Sequence, residues 1–143
     1  MKDDPKRAGT IGIAASVALK HFGMEKIMLC DHSDFRLKLA EELGFAVCNP
    51  AAEDFAARAA AYFGTAPSLS GPTADIDCWL DAAGAESILN DFLRLGKIES
   101  YAQQSMIGSG GYMPEDVRDV QEIMSCGKWD LERIITHEFP LVE

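Results

Sequence analysis

The 143-residue sequence has no C-x-x-C pair, no basic cluster and no apolar run approaching membrane-spanning length. Its four cysteines, Cys30, Cys48, Cys78 and Cys126, are widely and irregularly spaced, which excludes a zinc ribbon and a thioredoxin-type motif. Cys30, Cys48 and Cys78 lie in apolar, strand-like runs and are expected to be small buried hydrophobes. Reduced, buried thiols fit a cytoplasmic protein. A bilayer crossing needs about 20 apolar residues, and the opening MKDDPKR is charged with no apolar stretch behind it, so no export signal is expected. Thirteen Lys and Arg are scattered against 23 Asp and Glu, a formal net charge of -10. Such a surface repels nucleic acid and favours solubility. The three histidines, His21, His32 and His137, are not spaced with a Cys or Glu as a metal site would be.

What the sequence does have is alternation. Its length suits one compact domain. Residues 10–22 read as a helix rich in Ala, Ile, Val and Leu, stopped by Gly23. Residues 26–30 (KIMLC) form a short apolar run suited to a parallel strand covered on both faces. A helix capped by Ser33 or Asp34 follows, with Phe35, Leu39 and Leu43 as its apolar stripe and Gly44 as its stop. Residues 45–48 suggest a second strand and residues 53–63 an Ala-rich helix with Phe55, Ala59 and Tyr62 on one side. Residues 65–73 read as a loop. Further strands are expected at 75–80 and 105–107, with a stub at 97–100. Further helices are expected at 87–95, with Ile88, Leu89, Phe92 and Leu93 inward, and from Pro114, with Val117, Val120, Ile123 and Met124 inward. Strands alternating with helices of about a dozen residues imply β-α-β units and a parallel sheet. The expected fold is therefore α/β.

Two features carry chemistry. Gly9-Thr10-Ile11-Gly12 opens the first helix. A dinucleotide fold needs glycine where the backbone turns tightly and where helix and strand approach closely, and the free N–H groups of that helix hold the pyrophosphate. Gly9 and Gly12 fit the second and third positions of G-x-G-x-x-G, with Arg7 at the first. A bare Gly-x-x-Gly at a helix start is also common without any ligand. Asp31 follows the KIMLC strand, 19 residues after Gly12. An acidic residue there accepts hydrogen bonds from the adenosine ribose, and its charge favours NAD over NADP. The plainer alternative is a carboxylate that caps a strand end.

Residues 9–43 (GTIGIAASVALKHFGMEKIMLCDHSDFRLKLAEEL), 77–84 (DCWLDAAG) and 106–140 (MIGSGGYMPEDVRDVQEIMSCGKWDLERIITHEFP) together resemble the medium-chain, zinc-dependent alcohol dehydrogenases, nearest their sorbitol and threonine dehydrogenase branch. The resemblance covers most of residues 8–143. It implies a Rossmann-like, doubly wound parallel sheet with helices on both faces and an NAD(H)-binding role. The parent reaction is hydride transfer between a secondary alcohol or polyol and NAD. By resemblance Gly9, Thr10, Ile11 and Gly12 pack against the pyrophosphate and Asp31 holds the ribose. Arg36 takes the position of a basic group near the adenosine, or else of a solvated helix face. Ala82, Ala83 and Gly84 form the turn at the inner end of the cofactor site, or a plain turn. The family forms oligomers, and a homo-oligomer is expected here.

The chain departs from the family in three ways. No zinc ligands are present, since those belong to a separate domain, so zinc is a cofactor of the parent family alone and this chain by itself is expected to be inactive, with no catalytic residues of its own. Residues 1–7 replace the apolar first strand and cannot form a buried central strand, so residues 8–143 are expected to be an incomplete dinucleotide-binding domain. Residues 96–105 are shorter than the family's connection, which places seams between Arg7 and Ala8 and between Ser100 and Tyr101. A truncated or fragmentary chain gives this pattern. Two rivals stay open: a non-catalytic oligomerisation or binding module derived from the domain, and an adenosyl-methionine-binding fold.

Overall fold

The computed structural model describes residues 9–97 and 105–135. Two β-α-type steps open it. Helix α1 (Thr10–His21) leads to strand β1 (Met28–Cys30), then helix α2 (Asp34–Glu42) and strand β2 (Ala46–Cys48). β1 and β2 pair in parallel, Leu29 opposite Val47. Helix α3 (Phe55–Phe63) runs into an antiparallel pair, β3 (Thr65–Ala66) and β4 (Thr73–Ala74). Helices α4 (Glu86–Leu95) and α5 (Pro114–Ser125) and a 3₁₀ turn (Leu131–Ile134) complete the described chain.

The local reasons are visible in the sequence. Asp54 caps α3 by accepting from the Ala56 and Ala57 amides, satisfying two of the donors a helix start leaves open. Pro114 stands at the first turn of α5, where its missing N–H costs nothing. The Asp116 carboxylate accepts from the Met113 amide at 2.7 Å and closes that end. Gly44 ends α2 at φ 87°, a left-handed conformation open to glycine at little cost.

The core lies between α1, the β1–β2 pair and α5. Ile13 and Val17 of α1 meet Ile27, Leu29, Ala40, Phe45 and Ile123, with Trp129, Leu131 and Ile134 packed around them. Phe45 and Trp129 stack with ring centroids 6.3 Å apart. Each fully buried aliphatic side chain contributes roughly 1.5–3 kcal/mol of transfer free energy. Arg133 of the closing turn bonds the Glu42 carboxylate at the end of α2.

Several sequence expectations need correction. In α2 the buried positions are Leu37 and Ala40, while Phe35 is 68% exposed. Leu39 and Leu43, as expected, are partly buried and pack against the core beside Ala40. Ser33 flanks α2 without a side-chain cap; instead its amide donates to Asp31. The loop at 65–73 contains β3 and the start of β4. Residues 75–80 and 105–107 are not strands, for they find no ladder partner among the described residues. Met106 and Ile107 are exposed. Helix α4 buries no residue, with Leu89 and Leu93 exposed, and in α5 only Ile123 is buried. The apolar periodicity of these helices is real, but too little of the described chain packs over it. Cys48 is buried as expected; Cys30 and Cys78 are exposed. His137, residues 1–7, residues 98–100 of the expected stub at 97–100, and both proposed seams lie outside the described residues.

The parallel pair and its flanking helices make the protein α/β.

Candidate functional site

A cleft of about 610 Å³ opens between α1, the edge of β1 not paired with β2, and the segment 75–83. Gly12, Ala15, Ser16 and Leu19 form its α1 wall, residues 24–30 a second, and residues 75–80 with Ala82 and Ala83 the third. Gly12 is buried, and the Ser16 hydroxyl donates to its carbonyl at 2.8 Å. A glycine there lets the helix backbone form part of the wall. An aromatic ladder fastens the far side: Trp79 meets Phe55 of α3 at 5.6 Å and Phe92 of α4 at 5.9 Å, both edge-on.

The structure brings together three of the nominated residues, Gly12, Ala82 and Ala83, around this cleft. Gly9 flanks α1 in an extended conformation, and Thr10 and Ile11 are exposed at the open helix start. The first amides of α1 lack intrahelical partners by construction, and they present positive partial charge. Gly84 adopts φ 67°, and the Asp81 carboxylate accepts from the Ala83 and Gly84 amides at 2.8 and 2.9 Å, which fixes the turn. Gly84 itself is not part of the cleft wall.

Asp31 stands just past β1, 4% exposed. Its Oδ1 accepts from the Ser33 amide at 2.8 Å. Its Oδ2 is buried without a hydrogen-bond partner among the described residues. Arg36 Nη1 lies 3.5 Å from Oδ2, an ion-pair contact without hydrogen-bond geometry. One oxygen thus organises the turn into α2, and Asp31 is not among the residues that line the cleft. Arg36 is turned toward that carboxylate and is not a freely solvated side chain.

Sequence reasoning missed a charged cluster on the cleft wall. Lys97, 8% exposed, donates to Asp75 at 2.6 Å and to Asp77. The two carboxylates hold its ammonium well above the usual lysine range. The cluster fastens the chain after α4 to the segment after β4, helped by the Thr73 hydroxyl donating to the Leu95 carbonyl. Separations of 20 and 22 residues left no local signal. Glu25, Asp75, Asp77 and Asp91 line the cleft beside a single lysine, Lys26, whose ammonium is engaged by the carbonyls of Tyr62 and Phe63. This acidity opposes a pyrophosphate, and of the α1 start only Gly12 reaches the cleft wall.

Burial, with the Glu53 carboxylate beside it, pushes the Cys48 thiol up to about 11. No group of three or more His, Cys, Asp or Glu among the described residues is arranged to hold a metal ion. No described helix is long and apolar enough to cross a membrane.

The chain is similar to L-galactonate-5-dehydrogenase of Escherichia coli (strain K12), 26% identical over 153 aligned positions. The match covers 93% of this chain and 43% of the relative. The chain therefore spans less than half the length of that dehydrogenase. The aligned positions outnumber the chain's own 143 residues, so the relative carries residues inside the matched span that this chain lacks. No protein-family profile and no solved structure matches.

Proposed function

We propose that the chain is an NAD(H)-binding domain of an oxidoreductase acting on a polyol or a hydroxylated sugar acid. The observation that carries the proposal is the cleft that places Gly12 of α1 opposite the Ala82–Ala83 turn, in a chain similar to a dehydrogenase. The open amides of α1 would hold the pyrophosphate. Asp31, buried against Arg36 and outside the cleft wall, would accept from a ribose hydroxyl only with its carboxylate turned outward. The turn at 82–84 would line the inner end. NAD, when bound, accepts or delivers the hydride; the protein orients it. Zinc does not fit the described residues, which offer no donor set for it, and no step is drawn through it.

Calorimetric titration of the purified chain with NADH tests this. Saturable binding that weakens about tenfold in Asp31→Ala, a loss of about 1.4 kcal/mol, is the expected result. Stronger binding of adenosyl-methionine than of NADH would transfer the site to the methyl-donor class.

One set of observations favours a second reading, a non-catalytic oligomerisation module. Met106, Ile107, Tyr112 and Met113 are all at least 65% exposed, and Val117, Val120 and Met124 add an apolar side to α5. Contiguous apolar exposure marks interaction surfaces. No NADH binding together with a dimer in sedimentation would support this reading.

A further inference from the structure

In the parallel register of β1 and β2, Cys30 stands opposite Cys48. Neighbouring strands lie about 4.8 Å apart, and paired residues in a parallel ladder project to the same face. Leu29 and Val47 face the core, so the two cysteines share the other face at the carboxyl ends of both strands. That spacing falls inside the roughly 4.4–6.8 Å between Cα atoms that a disulfide bridges. The thiols are close enough to perturb each other's ionisation. Their exposures are unequal: Cys48 is 0% exposed, while Cys30 is exposed and forms part of the cleft wall. The two thiols therefore stand side by side, one on the cleft wall and one buried behind it. Wide sequence spacing hid the pair, since it is created by strand register alone.

We propose that Cys30 and Cys48 form a reversible dithiol site that low-molecular-weight disulfides oxidise to a cross-strand bond. This goes beyond the dinucleotide reading and does not rest on it. In the first step the Cys30 thiolate attacks one sulfur of glutathione disulfide. A Cys30–glutathione bond forms, the glutathione S–S bond breaks, and the released glutathione thiolate takes up the proton lost by Cys30. In the second step the Cys48 thiolate attacks the Cys30 sulfur and expels the second glutathione, which takes the Cys48 proton. Two S–H bonds become one S–S bond, and two electrons pass to glutathione disulfide, giving two glutathiones. Burial holds both thiols above the ordinary range, Cys30 up to about 12 and Cys48 up to about 11, so both exchange steps quicken as pH rises.

The test treats the purified chain with glutathione disulfide and maps disulfides by mass spectrometry over time. The expected sequence is a Cys30 adduct followed by a Cys30–Cys48 link. Cys48→Ser and Cys48→Ala should each hold the chain at the adduct, and Cys30→Ser should block both products. Phenylarsine oxide, which bridges paired thiols and dissociates readily from single ones, should bind the reduced chain tightly and lose that binding in Cys30→Ser, a variant at an exposed position that is expected to fold. A link from Cys30 to Cys78 or Cys126, or undiminished arsenical binding in Cys30→Ser, would overturn the proposal. So would a chain that takes up neither glutathione nor the arsenical.

Discussion

The Asp31–Arg36 pair offers the most direct check on how the β1–α2 corner is held. The Asp31 side chain is 1% exposed and that of Arg36 is 28% exposed. Replacing Arg36 with leucine leaves a buried carboxylate whose Oδ1 keeps the Ser33 amide and whose Oδ2 faces no donor. Stranding one partner of a fully buried pair costs about 3–5 kcal/mol. Here Arg36 is partly solvated and one oxygen stays satisfied, so the expected loss is nearer 2 kcal/mol. Asp31→Asn keeps the Oδ1 acceptor and releases Arg36 to water; its expected cost is about 0.5–1 kcal/mol. Once Asp31 is neutral, removing Arg36 strands nothing, so the double variant should resemble Asp31→Asn alone. The coupling would then equal the full Arg36→Leu loss, about 2 kcal/mol. Urea unfolding of the four chains measures it, and Arg36→Leu should also lower the thermal midpoint by about 7 °C. Strict additivity within about 0.3–0.5 kcal/mol, or no loss in Arg36→Leu, would refute the reasoning. Either result would mean that the carboxylate is solvated and that Arg36 does not hold it.

Two further predictions follow from burial and ionisation. Ile123→Ala should cost about 2–4 kcal/mol, because Ile123 is 3% exposed and is the one buried residue of α5, whereas Val117→Ala, at a 43% exposed position, should stay within about 0.5 kcal/mol. Hydrogen exchange across α5 should rise only in the first variant; equal effects would show that α5 docks through another face. Stability should fall as pH rises through the alkaline range. The folded state keeps Cys48 protonated from the ordinary 9.0 to about 11, where an unfolded thiol ionises. The Lys97 ion pairs stabilise fully below the ordinary lysine value of 10.5 and lose that contribution as pH climbs past it. Urea midpoints measured from pH 8 upward (a range of roughly three units) should show a shallower decline in Cys48→Ala, and an unchanged slope would count against burial as the cause.

Much of the local structure was readable in the chain. The stops at Gly23 and Gly44, Pro114 at the head of α5, and the apolar runs of β1 and β2 are short-range signals, and α1, α2, α3, α4 and α5 formed close to where periodicity placed them. Asp31 stands out by its position after a strand; that it is buried against Arg36 is set by packing. The apolar faces of α4 and α5 were over-read because periodicity shows which side of a helix is apolar, and burial needs a surface to receive it. The segments 75–80 and 105–107 have strand-like composition but no ladder partner, and extended backbone becomes a strand only by pairing.

The sequence by itself determined where helices start and stop, the acidic surface, and the Gly12 and Asp31 positions, because capping, backbone freedom and charge act between near neighbours. The tertiary structure alone decided that Gly12 faces Ala82 and Ala83 across one cleft, that Lys97 joins Asp75 and Asp77, and that Cys30 lies against Cys48. Each of these meetings depends on strand register or chain crossing, which is fixed by how apolar surfaces pack and not by any residue's own preference.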